Sequence, residues 1–129
     1  MFSVTKQVDY GLLLVTALAR DAQKGVISLK RISNNYHLPY KFLQKICIPL
    51  RKKGIIRSEG GTKGGYQLIK KPSEIKVADV INALEETTPV ACLHGDCPLA
   101  EKCHARSAWQ KIHKAIEDSM NNITIKDLI

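Results

Sequence analysis

The sequence is poor in aromatic residues, in long apolar runs and in any recognisable export signal. Aromatic side chains make up 5% of the 129 residues, so the core must be mainly aliphatic. The longest apolar run, around residues 11–19, is flanked by charged residues and is too short to span a bilayer. The first residues lack the basic start, apolar run and cleavage site of a secretion signal, which predicts a reducing cytoplasmic location without a membrane partner.

Acidic residues are almost absent from residues 24–71. This block contains twelve Lys and Arg but one acid, Glu59, so it carries more than the whole formal net charge of +8. Such a concentration of positive charge predicts a surface that binds a polyanion. A solvated basic face is the alternative that charge alone leaves open.

Hydrophobic periodicity predicts a mainly α-helical protein with one small β-hairpin. The predicted helices cover residues 5–22, 29–36, 39–53 and 77–86, with a long fifth helix from residue 99 or 103 to residue 120. Thr5 and Ser28 are good N-caps for the first two helices. Pro49 predicts a kink or an early end of the third helix near Ile48. Residues 26–27 predict a short strand.

The second and third predicted helices form a helix-turn-helix, because they are short, closely spaced and carry basic and amide side chains at the exposed start of the third. Two β-branched runs around a glycine-rich tip at residues 59–65 predict a hairpin, the wing of a winged helix. The tip lacks the Gly-Lys-Ser/Thr order of a nucleotide-binding loop. The predicted organisation is therefore a winged helix-turn-helix at residues 1–75, followed by a cysteine loop and dimerisation helix at 76–129.

The second helix of a helix-turn-helix enters the major groove of double-stranded DNA by its N-terminal residues. The residues expected at bases and phosphates are Tyr40, Lys41, Gln44 and Lys45. Gln44 suits adenine, and either lysine can reach guanine acceptors. Those expected at phosphates are Lys30, Arg31, Arg57 and Lys63, and Lys63 at the wing tip could also reach the minor groove. Arg51, Lys52 and Lys53 could equally form a solvated face.

The long fifth helix carries one apolar stripe, which includes Trp109, Ile112, Ile116 and Met120. A domain this small cannot cover it with its own residues, so the stripe predicts a dimerisation helix; burial within one subunit is the alternative. A homodimer is expected to bind a near-palindromic operator with half-sites roughly 34 Å apart.

Three of the four cysteines, Cys92, Cys97 and Cys103, fall within twelve residues. Thiolates this close together predict a metal or cluster site, with a fourth ligand from His94, His104, Asp96 or elsewhere in the dimer. The spacing leaves an iron–sulfur cluster, zinc and thiol redox chemistry open. The absence of a Cys-x-x-Cys motif argues against a thiol redox enzyme. Cys47 lies on the buried stripe of the third helix and is expected in the core.

The resemblance that joins these features involves residues 41–45, 50–58, 64–68 and 121–124, together with Trp109 and the three clustered cysteines. Over essentially the whole chain, the sequence resembles the family of iron–sulfur transcription regulators that includes IscR and NsrR. The resemblance implies a homodimeric winged-helix repressor or activator, with a 2Fe–2S or 4Fe–4S cluster held by Cys92, Cys97 and Cys103 in each subunit.

The fourth ligand differs from the IscR pattern. The first cysteine gap is one residue shorter, and the family's ligating histidine corresponds to Arg106, which cannot bind a metal as a cation. NsrR-like members use an acid near the start of the first helix of the partner subunit, and Asp9 stands at that position. Asp9 otherwise stabilises the helix dipole. His104 is the other candidate.

The expected function is therefore a DNA-binding regulator, not an enzyme, that senses redox state, nitric oxide or iron–sulfur status. A zinc-bound or apo regulator without cluster sensing is the alternative.

Overall fold

The computed structural model describes residues 4–85 and 97–129. Within these ranges the chain forms the helices α1 (Lys6–Arg20), α2 (Leu29–Tyr36), α3 (Tyr40–Lys52), α4 (Val77–Leu84) and α5 (Arg106–Asn122), and the strands β1 (Ile56–Glu59) and β2 (Gly65–Leu68). Short 3-10 turns lie at Ala22–Lys24, Pro72–Glu74 and Ile125–Leu128. The predicted mainly α fold with a small hairpin is confirmed. None of the described helices is long and apolar enough to span a membrane.

The core forms where α1 crosses α3 and α4. Leu14, Val15 and Leu18 of α1 are fully buried against aliphatic side chains of the other two helices. Gly11 allows α1 and α4 to approach closely, because a Cβ at this position would collide with Leu84 Cδ1. Each buried aliphatic side chain contributes about 1.5–3 kcal/mol relative to exposure. This aliphatic core holds α3 in place against α1 and α4.

The first two helices begin at their predicted caps. Thr5 Oγ1 accepts a hydrogen bond from Val8 N at 3.3 Å, and Ser28 Oγ accepts one from Arg31 N at 3.2 Å. The predicted end of the first helix at residue 22 is wrong, because α1 ends at Arg20 and the chain tightens into the 3-10 turn before Gly25. That turn directs the chain back towards the hairpin.

The sequence had predicted a kink or an early end of α3 near Ile48, and the early end is wrong. The helix continues to Lys52, and Leu50 is fully buried on the same stripe as Leu43 and Ile46. Proline removes one backbone hydrogen bond, worth about 1 kcal/mol net. Burial of Leu50 contributes about 1.5–3 kcal/mol and offsets that loss.

The wing is an antiparallel hairpin in which Ile56 pairs with Leu68 and Ser58 with Tyr66. On the other side of β2, Tyr66 exchanges two backbone hydrogen bonds with Ile27, at 2.8 and 3.0 Å. The predicted strand at residues 26–27 is thus reduced to a single bridge. Gly65 is required for this approach, because a Cβ there would collide with the Ile27 carbonyl.

The segment before α5 consists of turns. Hydrogen bonds run from Ala100 N to Cys97 O (3.0 Å), from Lys102 N to Leu99 O (2.9 Å) and from Arg106 N to Cys103 O (3.3 Å). These bonds join residues three apart, so the predicted helix start at residue 99 or 103 is wrong and α5 begins at Arg106. α4 likewise ends at Leu84, two residues early, because Glu85 is extended.

The C-terminal segment returns to the first part of the chain. Val77 N donates to Ile123 O at 2.9 Å and Ile125 N donates to Ile75 O at 2.8 Å, while Ile125 is fully buried beside residues of α1. Asp127 closes a capping box with Thr124, and hydrogen bonds from Thr124 N (2.9 Å) and Oγ1 (3.0 Å) lower the pKa of its carboxyl. The division into residues 1–75 and 76–129 stays a prediction.

Candidate DNA interface and cysteine site

The turn between α2 and α3 sets the angle of the exposed helix. His37 adopts the left-handed conformation (φ 54°), which ends α2, and the next residue, Leu38, is buried. Leu38 N donates to Ser33 O at 3.0 Å, and Ser33 Oγ donates to Leu38 O at 2.5 Å. These bonds fix the turn, so α3 begins in a defined direction at the surface.

The two faces of α3 differ in chemistry. Leu43, Ile46 and Leu50 point into the core, and Phe42 packs edge-on against Tyr10 with ring centroids 5.4 Å apart. The opposite side is exposed and carries the four residues predicted to reach bases: Tyr40, Lys41, Gln44 and Lys45. An amide and two ammonium groups on a half-buried helix are suited to the donor and acceptor pattern of the major groove.

All eight side chains predicted to bind DNA are exposed: Lys30, Arg31, Tyr40, Lys41, Gln44, Lys45, Arg57 and Lys63. In residues 4–85 and 97–129 the salt bridges are Lys24–Asp21 (3.1 Å) and His113–Glu117 (3.6 Å), so no described acid pairs with the six cations among these eight residues. Glu59, the acid of the basic block, accepts a hydrogen bond from Gln67 Nε2 at 3.0 Å. These six cations therefore have no described carboxylate partner and are available to contact phosphates.

One polar contact between α3 and the wing was missed by the sequence predictions. Arg51 Nη1 donates to Ser58 Oγ at 3.3 Å. No spacing rule joins a residue of a helix to a residue of a hairpin, so this contact had no signal in the sequence. Charge alone had left Arg51 as part of a solvated face.

Cys47 lies in the core, as predicted, with 2% of its surface exposed. Burial raises the pKa of its thiol to about 11, an effect that the hydrogen bond from Tyr66 and the nearby Arg51 guanidinium only partly oppose. Cys47 therefore stays protonated at neutral pH. A buried neutral thiol is a poor metal ligand and a poor nucleophile.

Alkylation should separate the buried cysteine from the others. We expect iodoacetamide at pH 8 to modify the exposed Cys103 of the metal-free, reduced protein at least about 100-fold faster than Cys47. Burial shields Cys47 from the reagent, and with its pKa raised to about 11 only about one in a thousand Cys47 side chains is a thiolate at pH 8. A mass-spectrometric time course measures both rates. In the denatured control the two rates should converge; equal rates in the folded protein would contradict the burial of Cys47.

The structure describes two of the three clustered cysteines. Cys92 lies outside the described residues, as do His94 and Asp96. Cys97 is half-buried, Cys103 is exposed, and both are free thiols within the run of turns before α5. In residues 4–85 and 97–129, no three His, Cys, Asp or Glu side chains come together as a metal site. Two unpaired, reachable thiols in one short segment nevertheless match the donors that an iron–sulfur cluster or zinc requires.

The candidate fourth ligands are both exposed. His104 directly follows Cys103, and Asp9 lies in the first turn of α1. The Thr5 hydroxyl at the start of that helix donates to Glu85, the last described residue before the cysteine segment. The start of α1 therefore adjoins the point where the chain enters that segment. Within the described part of one subunit, Asp9 does not form a metal site with Cys97 and Cys103.

The apolar stripe of α5 is incompletely covered. No described residue of α5 is buried, and Trp109, Ile112, Ile116 and Met120 are half-exposed. Ile112, Ile116 and Met120 line a groove of about 360 Å³ together with Val77 and Ile123. The described chain thus leaves an apolar face accessible along a helix of 17 residues.

The fixed turn, the exposed polar face of α3 and the adjoining hairpin define a winged helix-turn-helix DNA-binding protein. Residues 4–129 match the Rrf2 family, whose members are described as iron-dependent transcriptional regulators. The chain belongs to this family, so the resemblance to IscR and its relatives is confirmed.

Individual relatives agree in sequence and in structure. The chain is 35% identical to protein rrf2 of Nitratidesulfovibrio vulgaris over 129 residues, covering 98% of this chain and 86% of that protein. It is similar to CymR of B. subtilis, described as the global cysteine regulator (TM-score 0.83, 30% identity, 99% and 96% of the two chains). It is also similar to IscR of T. potens (TM-score 0.79, 32% identity, 98% and 85%). Because the family is one of transcriptional regulators, the protein is a DNA-binding transcriptional regulator and not an enzyme, as predicted.

Proposed function

We propose that the protein is a homodimeric regulator that acts in the cytoplasm and couples operator binding to an iron–sulfur cluster, either 2Fe–2S or 4Fe–4S. The ligands would be Cys92, Cys97 and Cys103 of one subunit and Asp9 of the partner subunit, with His104 as the alternative fourth ligand. The observation that carries this proposal is the position of two free thiols, Cys97 and Cys103, directly before α5 in a chain that belongs to an iron-dependent family.

On the DNA, α3 would lie in the major groove and the wing beside it. Gln44 would pair with adenine, and Lys41 or Lys45 with guanine, because these side chains are exposed at the start of the helix. Lys30, Arg31 and Arg57 would bind phosphates, and Lys63 would reach the minor groove or its phosphates. The absence of described acidic partners for these cations supports this assignment.

The dimer would form along α5. Its half-exposed apolar stripe needs a partner surface, and a second copy of the same stripe is matched to it in length and polarity. Two recognition helices related by a two-fold axis would then bind a near-palindromic operator with half-sites roughly 34 Å apart.

When bound, a cluster with a non-thiolate fourth ligand supplies one labile position that an oxidant or nitric oxide can attack. The chain itself would connect the cluster to the DNA-binding unit through α5. Binding of one cluster by Cys92, Cys97 and Cys103 would hold these three residues together directly before α5. The other end of α5 leads to Ile125, which is paired with Ile75 beside the exit of the wing. Release of the thiolates would remove one restraint on α5, and the paired segment would carry the change to the DNA-binding unit.

A zinc-bound or apo regulator of the same family is the second candidate. It is favoured by the structural similarity to CymR, whose description names cysteine regulation rather than iron. An absorption spectrum of the anaerobically purified protein, with metal analysis, separates the two proposals. Visible absorption with bound iron and sulfide supports the cluster, whereas a colourless protein that takes up no iron on reconstitution favours the second candidate.

Substitutions on α3 test the DNA contacts. We expect Gln44→Ala to weaken specific operator binding by about 1–3 kcal/mol, roughly 5- to 150-fold, because one bidentate base contact is lost. Binding to unrelated duplex DNA should change little. Lys53→Ala at the far end of α3 is the matched control and should bind as the parent does. Titrations at fixed salt measure the affinity of the parent and of both variants for the operator and for the unrelated duplex. An equal loss of affinity for both DNAs in Gln44→Ala would contradict base reading by Gln44.

A further inference from the structure

One aliphatic side chain lies in the middle of the exposed face of α3. Ile48 has 55% of its surface exposed, whereas every other exposed residue of this helix carries a charged or polar group. At about 100° per residue, Ile48 is about 20° from Lys41 and about 40° from Gln44 around the helix axis. It therefore lies between two of the side chains that are proposed to reach bases.

Ile48 is also close to these side chains along the helix axis. It follows Gln44 by one helical turn, a rise of about 6 Å, and α3 continues through Pro49 without ending. Base pairs are about 3.4 Å apart, so this rise corresponds to roughly two base pairs. A β-branched side chain in a helix has one strongly preferred rotamer. Ile48 thus presents its methyl groups in a fixed orientation, and little entropy is lost when they make a contact.

The surroundings of Ile48 match the chemistry of a DNA groove. A single exposed apolar residue is ordinary on a protein surface, so its position is more informative than its exposure. Lys45 and Lys52 lie on the same face of α3 and have no carboxylate partner among the described residues. Phosphates border the major groove, and the C5-methyl group of thymine is the apolar group displayed inside it. An apolar centre with cations around it is complementary to such a methyl group between two phosphate backbones.

We propose that Ile48 is a further specificity-determining residue, which contacts the C5-methyl group of a thymine about two base pairs from the base bound by Gln44. This inference rests on the proposed function, in which α3 lies in the major groove. The contact removes two apolar groups from water, so each half-site should prefer thymine at this position over the other three bases.

Uracil substitution tests the contact one methyl group at a time. The probe is a duplex selected from a random pool by its binding to the parent protein. Replacing one thymine by uracil removes only the methyl group, and we expect one such position in a half-site to weaken binding of the parent about 4-fold. The same substitution should have no cost for Ile48→Ala, because the apolar partner of the methyl group is already absent.

Ile69→Ala is the matched control. Ile69 is exposed to a similar extent, 50%, but lies outside α3, so this variant should respond to uracil as the parent does. Thermal unfolding separates recognition from stability. Ile48→Ala should unfold at the same temperature as the parent or a higher one, because alanine is the better helix former and an exposed side chain leaves no cavity.

Two results would overturn the contact: no uracil substitution weakens binding of the parent, or each substitution costs Ile48→Ala as much as it costs the parent. If Gln44→Ala still loses specific binding to the same duplex, only the role of Ile48 is wrong and α3 still contacts bases. If neither Gln44→Ala nor Ile48→Ala changes specific binding, the proposed position of α3 in the major groove is wrong as well.

Discussion

Cys103→Ala is expected to abolish the visible absorption of the anaerobically purified protein and to change its operator affinity by about 5- to 150-fold. The first effect follows because a cluster that loses one of three thiolates is no longer held. The second corresponds to the 1–3 kcal/mol by which two coupled sites in a protein typically influence each other. Cys103 is the sharpest choice because it is exposed, so its removal leaves no cavity in the core.

Cys47→Ala is the matched control for this experiment. Cys47→Ala also removes a thiol, but a buried one. It should lower the free energy of unfolding by about 1 kcal/mol or more, because it leaves a small cavity. It should keep the chromophore, because Cys47 lies on the core face of α3. Absorption spectra, iron and sulfide analysis, thermal unfolding and operator titrations are measured on both variants.

Two outcomes would contradict cluster sensing. If Cys103→Ala bound the operator as the parent does in every redox state, the cluster and operator binding would not be coupled, even if the visible absorption were lost. A parent protein that contains stoichiometric zinc and no iron would favour the second candidate. A folded, colourless Cys103→Ala protein with altered affinity supports the proposal.

The parts of the fold that the sequence predicted are those set by local interactions. Ser28 caps α2 because a hydroxyl there satisfies a free backbone N–H, and this needs no distant partner. The glycine-rich tip similarly identified the hairpin. Pro49 shows where local rules fail. Proline disfavours a continued helix, but α3 continues because Leu50 is buried, and that burial depends on helices far along the chain.

The candidate site was predictable in composition but not in geometry. Exposure of the start of α3 followed from periodicity, so Lys41 and Gln44 could be selected from the sequence alone. The contact between Arg51 and Ser58 joins residues on different elements, and no spacing rule links them. The turns between Cys97 and Arg106 were likewise hidden, because Leu99 and Ala100 suit a helix as well as a turn. Asp9 of the partner subunit, the proposed fourth ligand, was suggested by the family resemblance and not by spacing within the chain.

Ile116→Glu is expected to convert the proposed dimer into a monomer and to weaken operator binding by at least about 100-fold. Ile116 lies midway along the half-exposed stripe of α5, so a two-fold interface there would bury two carboxylates without partners. An uncompensated buried charge costs about 3–5 kcal/mol, enough to dissociate an interface of moderate size. A monomer engages one half-site, so it loses most of the affinity that two linked half-sites provide.

The control for this prediction is Lys114→Glu, which places a carboxylate on an exposed position of the same helix two residues earlier. Sedimentation measures the oligomeric state, and titration of full and half operators measures the affinity. Ile116→Glu should bind a half-site as tightly as the parent binds it, because no side chain of α5 belongs to the core that α1, α3 and α4 form. The apolar stripe would not be the dimer interface if Ile116→Glu remained dimeric. If it became monomeric yet bound the full operator as tightly as the parent, α5 would still join the subunits, but paired recognition helices would not be the source of operator affinity.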